Sequence, residues 1–420
     1  MMATEGPLIA AVIARLPDAK YNLAAYGVTF ALAILIEAPV IMLMSAATSL
    51  VRDRVSFLKL RNFSRALGLG ATGLLLIVLI PAVFGWLTGT VIGLPHEVAD
   101  ITYGALWFML PWPAAIGYRR FLQGVLIRAG KARLVAWGTV IRLMGMSMTA
   151  LAGYLWLDMP GAWIGAFALA VGVTIEAIVA RFMAAGTVQE LLDGQGDLES
   201  SKREISYREI AAFYWPLALT SFIGLTIQPL LTFFMGRSIA PLESLAVFPV
   251  VHSLSFFFRS MGLAYQDVAI ALMGERFEQF PALRRFALTL GAATSAALAL
   301  VAFTPLADVF LISISGLTPE LAGYALIPTR ILVPLPFLSV LLSLQRAILV
   351  EGRRTQHITV ASAVEVATVA LVFVALGWGM NLVGATAAFT AFLGGRLASN
   401  AYLLGGCRAV MREKGVASVG

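Results

Sequence analysis

The sequence predicts an all-α polytopic membrane protein, two pseudo-symmetric six-helix bundles with the first helix truncated. Three observations carry this: an apolar composition, a regular series of apolar runs, and a repeat relating the two halves. Of 420 residues, 60% are hydrophobic and 13% charged, and mean hydropathy is +0.87. Soluble chains carry about 25% charged residues, and a soluble protein this apolar could not cover its own surface. Crossing a bilayer takes about 20 apolar residues, so the length accommodates roughly twelve crossings.

The apolar stretches fall at 24–51, 66–93, 99–127, 134–157, 161–187, 210–236, 242–273, 284–314, 320–350, 357–379 and 382–407. Counted with an incomplete first candidate before Pro17, interrupted by Glu5, Gly6 and Pro7, they are spans two to twelve. The longest polar stretch divides the chain almost equally. The expected domains are therefore an N-terminal bundle over 1–188, a cytoplasmic linker over 189–208, a C-terminal bundle over 209–410 and a short tail over 411–420. No cleavable signal peptide is evident, because the N-terminus lacks a basic region and a long apolar run.

Basic residues concentrate in alternate loops: Arg52 to Arg65, then Arg128 to Arg133, Arg284 and Arg285, Arg353 and Arg354, and the C-terminal Arg408, Arg412 and Lys414. The intervening loops hold mostly acidic residues, such as Glu97, Asp100, Asp158, Asp308 and Glu320. Positive loops stay inside, which places the C-terminus in the cytoplasm and the protein in the inner or plasma membrane. The net charge of +7 thus reads as orientation rather than nucleic-acid binding. One cysteine and three separated histidines point to no disulfide framework, no metal site and no cofactor.

The halves repeat. Gly93-Leu94-Pro95-His96-Glu97-Val98-Ala99 returns as Gly316-Leu317-Thr318-Pro319-Glu320-Leu321-Ala322, 223 residues later. Leu110-Pro111-Trp112-Pro113 is echoed by Pro334-Leu335-Pro336, and Trp163-Ile164-Gly165-Ala166 by Leu382-Val383-Gly384-Ala385. Six spans per half leave the copies in parallel topology, an architecture in which two bundles rock around a midplane site.

Ionisable residues inside spans are costly and usually face a partner or a cavity. Arg142 and Glu176 in spans five and six correspond to Glu365 and Arg396 in spans eleven and twelve, with the signs exchanged. Two structural ion pairs, Arg142–Glu176 and Glu365–Arg396, are the simplest account; coupling-ion or proton relay is the alternative. A second set reads as substrate-binding. Arg119, Arg120 and Gln123 lie a turn apart in span four, with Gln345 and Arg346 in the equivalent part of span ten. His252 and Arg259 share a stripe in span eight, Arg330 sits in the outer half of span ten, and Gln228 precedes Pro229. Against them stand Glu37 and Asp267, the candidates for coupling to H+ or Na+. Arginine holds its charge and grips carboxylates and phosphates through a rigid fork, so a net positive interior favours a small, multivalent anionic substrate. Snorkelling to an interface is the alternative for Arg330 and Arg346. Prolines at 39, 81, 111, 113, 216, 229, 249, 305, 334 and 336 permit bends within or beside the spans.

The stretches Phe213-Tyr214-Trp215-Pro216-Leu217-Ala218-Leu219 and Pro328-Thr329-Arg330-Ile331, the latter followed by a proline pair, resemble the progressive ankylosis protein family. So do Val383-Gly384-Ala385-Thr386 and Leu23-Ala24-Ala25-Tyr26-Gly27, and the likeness runs diffusely from about residue 8 to 405. That family lies within the superfamily of multidrug-and-toxin extruders (MATE) and polysaccharide or lipid flippases (MOP). The resemblance implies a MATE-like, V-shaped pair of lobes and export of pyrophosphate, citrate or nucleotides. Two departures are the mostly absent first helix and the absent acidic tail. The expected function is a secondary transporter exporting small organic or phosphorylated anions. The alternative is a lipid-linked or multidrug flippase or extruder of the same superfamily. A membrane-embedded enzyme ranks lower, because no nucleophile–base pair or carboxylate cluster is apparent.

Overall fold

A computed structural model describes residues 4–193, 205–274 and 277–414. Helices α1 (Glu5–Ile13), α2 (Ala19–Glu37), α3 (Leu43–Leu50) and α4 (Arg54–Val78) open the chain. Then come α5 (Pro81–Gly85), α6 (His96–Phe108), α7 (Trp112–Arg128), α8 (Ala132–Trp156), α9 (Gly161–Met183) and α10 (Ala185–Leu192). The second half runs through α11 (Tyr207–Leu225), α12 (Ile227–Gly236), α13 (Pro241–Leu272), α14 (Phe280–Phe303) and α15 (Leu306–Asp308). It closes with α16 (Pro319–Ile331), α17 (Leu335–Glu351), α18 (Gln356–Phe373) and α19 (Gly384–Glu413). Among the described residues the sole β-type pairing is one isolated bridge, Ile239 to Val383.

Proline sets where the apolar runs break. The stretch 24–51 ends its first helix at Glu37, before Pro39, and resumes as α3. Past Pro81 the chain turns 72° between α4 and the segment Pro81–Ile92, and α16 meets α17 at 42° beside Pro334. A proline removes one helical hydrogen bond and clashes with the preceding turn, so each break is local chemistry. Among the described residues, seven helices are long and apolar enough to cross a membrane, or nine with the two bent pairs. The expected spans at 99–127 and 382–407 are not among them. The first is split into α6 and α7 around Pro111, and the second, α19, carries Arg396, Ser399 and Asn400 within it.

The chain forms two compact units, Met1–Glu5 with Leu16–Pro229 and Gly6–Arg15 with Leu230–Gly420. Within the first, α2 and α9 are inner helices with 61% of the apolar window buried, whereas α8 has 22%. Helix α11 belongs to this unit: the Tyr214 hydroxyl donates to the Pro39 carbonyl, and its ring meets Phe63 edge-on at 5.2 Å. The first unit runs on to Pro229, and of the 189–208 stretch residues 194–204 lie outside the described residues.

The repeat is written into the backbone. Left-handed residues recur in pairs 222 or 223 positions apart: Asp18 (φ 52°) and Ala240 (φ 51°), Gly93 (78°) and Gly316 (75°), Gly130 (72°) and Arg353 (55°). A π-helical turn precedes both Gly93 and Gly316, at Trp86–Ile92 and Val309–Ile314. The first amides of α9 and α19 are satisfied alike, Ala162 N–H by Asn22 Oδ1 at 3.0 Å and Ala385 N–H by Ser244 Oγ at 2.9 Å.

One crossing matters most for the chemistry. At Gly172 a Cβ would lie 2.9 Å from Met146 Cβ and 3.2 Å from the Arg142 carbonyl, closing the α8–α9 approach. At Gly395, 223 positions on, it would lie 2.6 Å from Val369 and 2.9 Å from the Glu365 carbonyl. Glycine lets both helix pairs meet at the level of their buried charge.

Candidate functional site

In the first unit the charges sit on the inner faces of α2, α7, α8 and α9. Arg119 and Gln123 are one turn apart on α7, hence on one face. Both reach Glu176 of α9, Arg119 through Nη1 and Gln123 through Nε2 at 3.0 Å. Arg142 Nε lies 3.2 Å from the same carboxylate, while its Nη2 holds Glu5 at the start of α1. Glu176 is 0% exposed, so ionising it without such donors would be prohibitive. Two further charges flank the network. The Trp112 indole donates to Glu37 at the end of α2. Arg120 lies against the Met44 sulfur at 3.8 Å, with its Nε buried and unpartnered. These interior charges balance, with Arg119, Arg120 and Arg142 against Glu5, Glu37 and Glu176.

The second unit uses the same helices differently. Arg396 of α19 lies 3.0 Å from Glu365 of α18. Arg259 of α13 is wedged between two rings, 5.6 Å from the centre of Phe256 and 5.0 Å from that of Phe392. Arg396 approaches the same Phe392 ring at 5.9 Å. Arg259 Nε and Nη1 and Arg346 Nε are buried with no hydrogen-bond partner. Both arginines lie within electrostatic range of Arg396 and Glu365. Glu365 is paired with Arg396 alone, so with Arg259 and Arg346 nearby these described side chains leave an excess of two positive charges. His252 joins the aromatic wall, its ring stacked on Phe248 at 5.6 Å and Phe256 at 6.4 Å.

The remaining candidates separate. Gln345 donates to the Asn400 carbonyl at 3.1 Å, and its Oε1 is buried without a donor, as is Asn400 Oδ1. Arg330 Nε donates to the Ala302 carbonyl at 3.2 Å, and its guanidinium caps Phe303 at 5.5 Å. That arrangement ties α16 to α14, so Arg330 stands apart from the arginine cluster. Gln228 lies on α12 in the first unit, and the Asp267 side chain is outside the described residues. Among the described residues no three His, Cys, Asp or Glu side chains converge to hold a metal.

Sequence reasoning missed Glu5, treated there as a helix interruption, along with Trp112 and the Phe256–Phe392 sandwich. For Phe392 a signal existed: it precedes Arg396 by four residues, one helical turn. Glu5 left none, since its partner is 137 positions away.

No protein-family model and no curated protein sequence matches the chain. Solved structures do. A multidrug resistance MATE family transporter of the MOP superfamily, in an inward-facing conformation, aligns at TM-score 0.76 and 16% identity, over 99% of this chain and 96% of its own. The lipid II flippase MurJ, in an inward closed conformation, aligns at TM-score 0.71 and 12% identity, over 97% and 85%. A MOP superfamily transporter from Pyrococcus furiosus, described as having a binding pocket of reversed polarity, aligns at 0.64 and 14%, over 99% and 95%. The chain has the all-α, multi-pass fold of the MATE and MOP transporters.

Proposed function

We propose that this protein is a secondary transporter exporting small organic or phosphorylated anions, of the pyrophosphate, citrate or nucleotide class, by alternating access of its two bundles. It would sit in the cell membrane with a cytoplasmic C-terminus, in keeping with its basic loops. The diffuse likeness to the progressive ankylosis family points the same way.

One observation carries the substrate class: Arg259 and Arg346 are half-buried with buried donor nitrogens left unpartnered, and the carboxylate within their electrostatic range, Glu365, is already paired with Arg396. An unsatisfied buried charge is far costlier than an exposed one, and a bound dianion would remove that cost. The Phe256 and Phe392 rings flank the Arg259 guanidinium with apolar surface, which strengthens its attraction for an anion. Arg259 and Arg346 would grip the substrate, and Gln345 and His252 would shape its surroundings. Glu37 and Asp267 remain the candidates for coupling to H+ or Na+. In the first unit Arg119 and Gln123 serve Glu176, so their contribution to substrate would follow from rearrangement of that network.

The test is flux in reconstituted vesicles with labelled citrate, pyrophosphate and nucleotides, comparing the native chain with Arg259→Ala and Arg346→Ala. Each variant is expected to lose about ten-fold or more, because a hydrogen bond to a charged group contributes roughly 1.5–3 kcal/mol. Movement of cationic dyes without polyanions overturns the reading. Movement of a lipid-linked diphosphate without free anions favours the flippase alternative.

A further inference from the structure

We infer that Arg142 forms an anion-binding position in the first unit that the protein fills with its own Glu5 carboxylate. When Glu5 leaves, the position takes a free carboxylate or inorganic phosphate. The inference rests on the first unit alone and requires no ligand in the second.

Helices α7, α8 and α9 bring together Arg119, Gln123, Arg142 and Glu176. These residues carry one positive charge in excess. Glu176 accepts hydrogen bonds from Arg119 Nη1 and Gln123 Nε2, with Arg142 Nε 3.2 Å away in an ion pair, which leaves Arg142 Nη2 turned to a second acceptor. That acceptor is Glu5, from a separate segment of chain. Without it a guanidinium that is 5% exposed would lack full neutralisation, and the Nε atoms of Arg119 and Arg142 already lack hydrogen bonds.

The two carboxylates differ in access. The Glu176 side chain is 0% exposed and fixed from three sides, whereas the Glu5 side chain is 13% exposed and held by Arg142. The Glu5 position is thus the exchangeable one. What Arg142 Nη2 recognises there is an oxygen of a singly charged oxyanion, through a charge-assisted hydrogen bond. A tethered group acts at an effective concentration of about millimolar or more, so Glu5 outcompetes dilute free anions. Among the described side chains no carboxylate is hydrogen-bonded or ion-paired to Arg259 or Arg346 in the way that Glu5 is to Arg142.

Two measurements test this on the full chain in zwitterionic-lipid nanodiscs, in an Arg259→Gln/Arg346→Gln background that removes the second-unit arginines. Glu5→Ala should lower the thermal midpoint, and millimolar acetate or phosphate should restore most of the loss. Adding Arg142→Gln should abolish that restoration. Independently, Glu5→Gln, which keeps the side-chain volume, should bind one additional labelled phosphate at least ten-fold more tightly than its Glu5 parent. Failure of anions to restore Glu5→Ala, or equal restoration with Arg142→Gln, would overturn the proposal, as would no gained phosphate in folded Glu5→Gln. Restoration by anionic-lipid nanodiscs alone would assign the position to a headgroup and overturn the free-anion assignment.

Discussion

The two halves place charge at the same helix crossing and do opposite things with it. In the first, Gly172 brings α9 onto α8 at Arg142, and Glu176 one turn later collects two hydrogen bonds and an ion pair with Arg142. In the second, Gly395 brings α19 onto α18 at Glu365, but the position matching Glu176 is Ser399, and the partner Arg396 sits one residue past the glycine. The first half ends neutral, while the second holds Arg259, Arg346 and Arg396 against Glu365. The two halves share one scaffold, and the different residues they carry on it separate a charge-balanced network from a net positive one. A balanced buried network favours rigidity, and an unbalanced one favours a ligand of opposite sign.

That contrast can be broken most directly at Glu176. Glu176→Ala leaves Arg119 and Arg142 without their shared carboxylate, and removing one partner of a buried pair costs about 3–5 kcal/mol. Loss of the folded monodisperse species in detergent is expected, with a steep fall in thermal midpoint. Retention of native stability would show that the network is solvated. In the second half the expected sign reverses. Arg259→Gln and Arg346→Gln remove unneutralised charge, so the thermal midpoint should hold or rise while anion flux falls ten-fold or more; loss of both together would make these arginines structural.

The pairing at Glu365 can be sharpened by exchange. Glu365→Arg should abolish folding or transport, and adding Arg396→Glu should restore it, read by flux in vesicles. No rescue would dissolve the pair. Smaller effects test the shared scaffold. Gly172→Val and Gly395→Val should each destabilise by about 1–3 kcal/mol through overpacking, measured as matched shifts in thermal midpoint. Asn22→Ala and Ser244→Ala should each cost about 1 kcal/mol, the worth of a helix cap. Unequal losses within either pair would mean that the halves no longer share the local architecture.

Much of this was legible beforehand because its signals are short-ranged. Apolar runs bounded by prolines mark the helices, since span length and ring geometry act within about twenty residues. The repeat is visible because Gly93 and Gly316 meet the same demand for a left-handed turn. At Asp18 and Ala240, or Gly130 and Arg353, residue identity hides that equivalence, and the matched φ values reveal it.

By itself, then, the sequence determined an α-helical membrane chain, its internal repeat, and most of the charges that lie within its apolar stretches, Glu5 excepted. Tertiary structure decided how those charges combine: Arg119 and Gln123 with Glu176, Glu5 with Arg142, Arg330 with the end of α14, and Arg259 between two phenylalanines. The reason is rotational. Each residue turns a helix by about 100°, so spacing tells which side chains share a face but not which neighbouring helix that face meets. Only the packed bundle sets that phase, and with it the line between an arginine paired with a carboxylate and one whose donor nitrogens are left unpartnered.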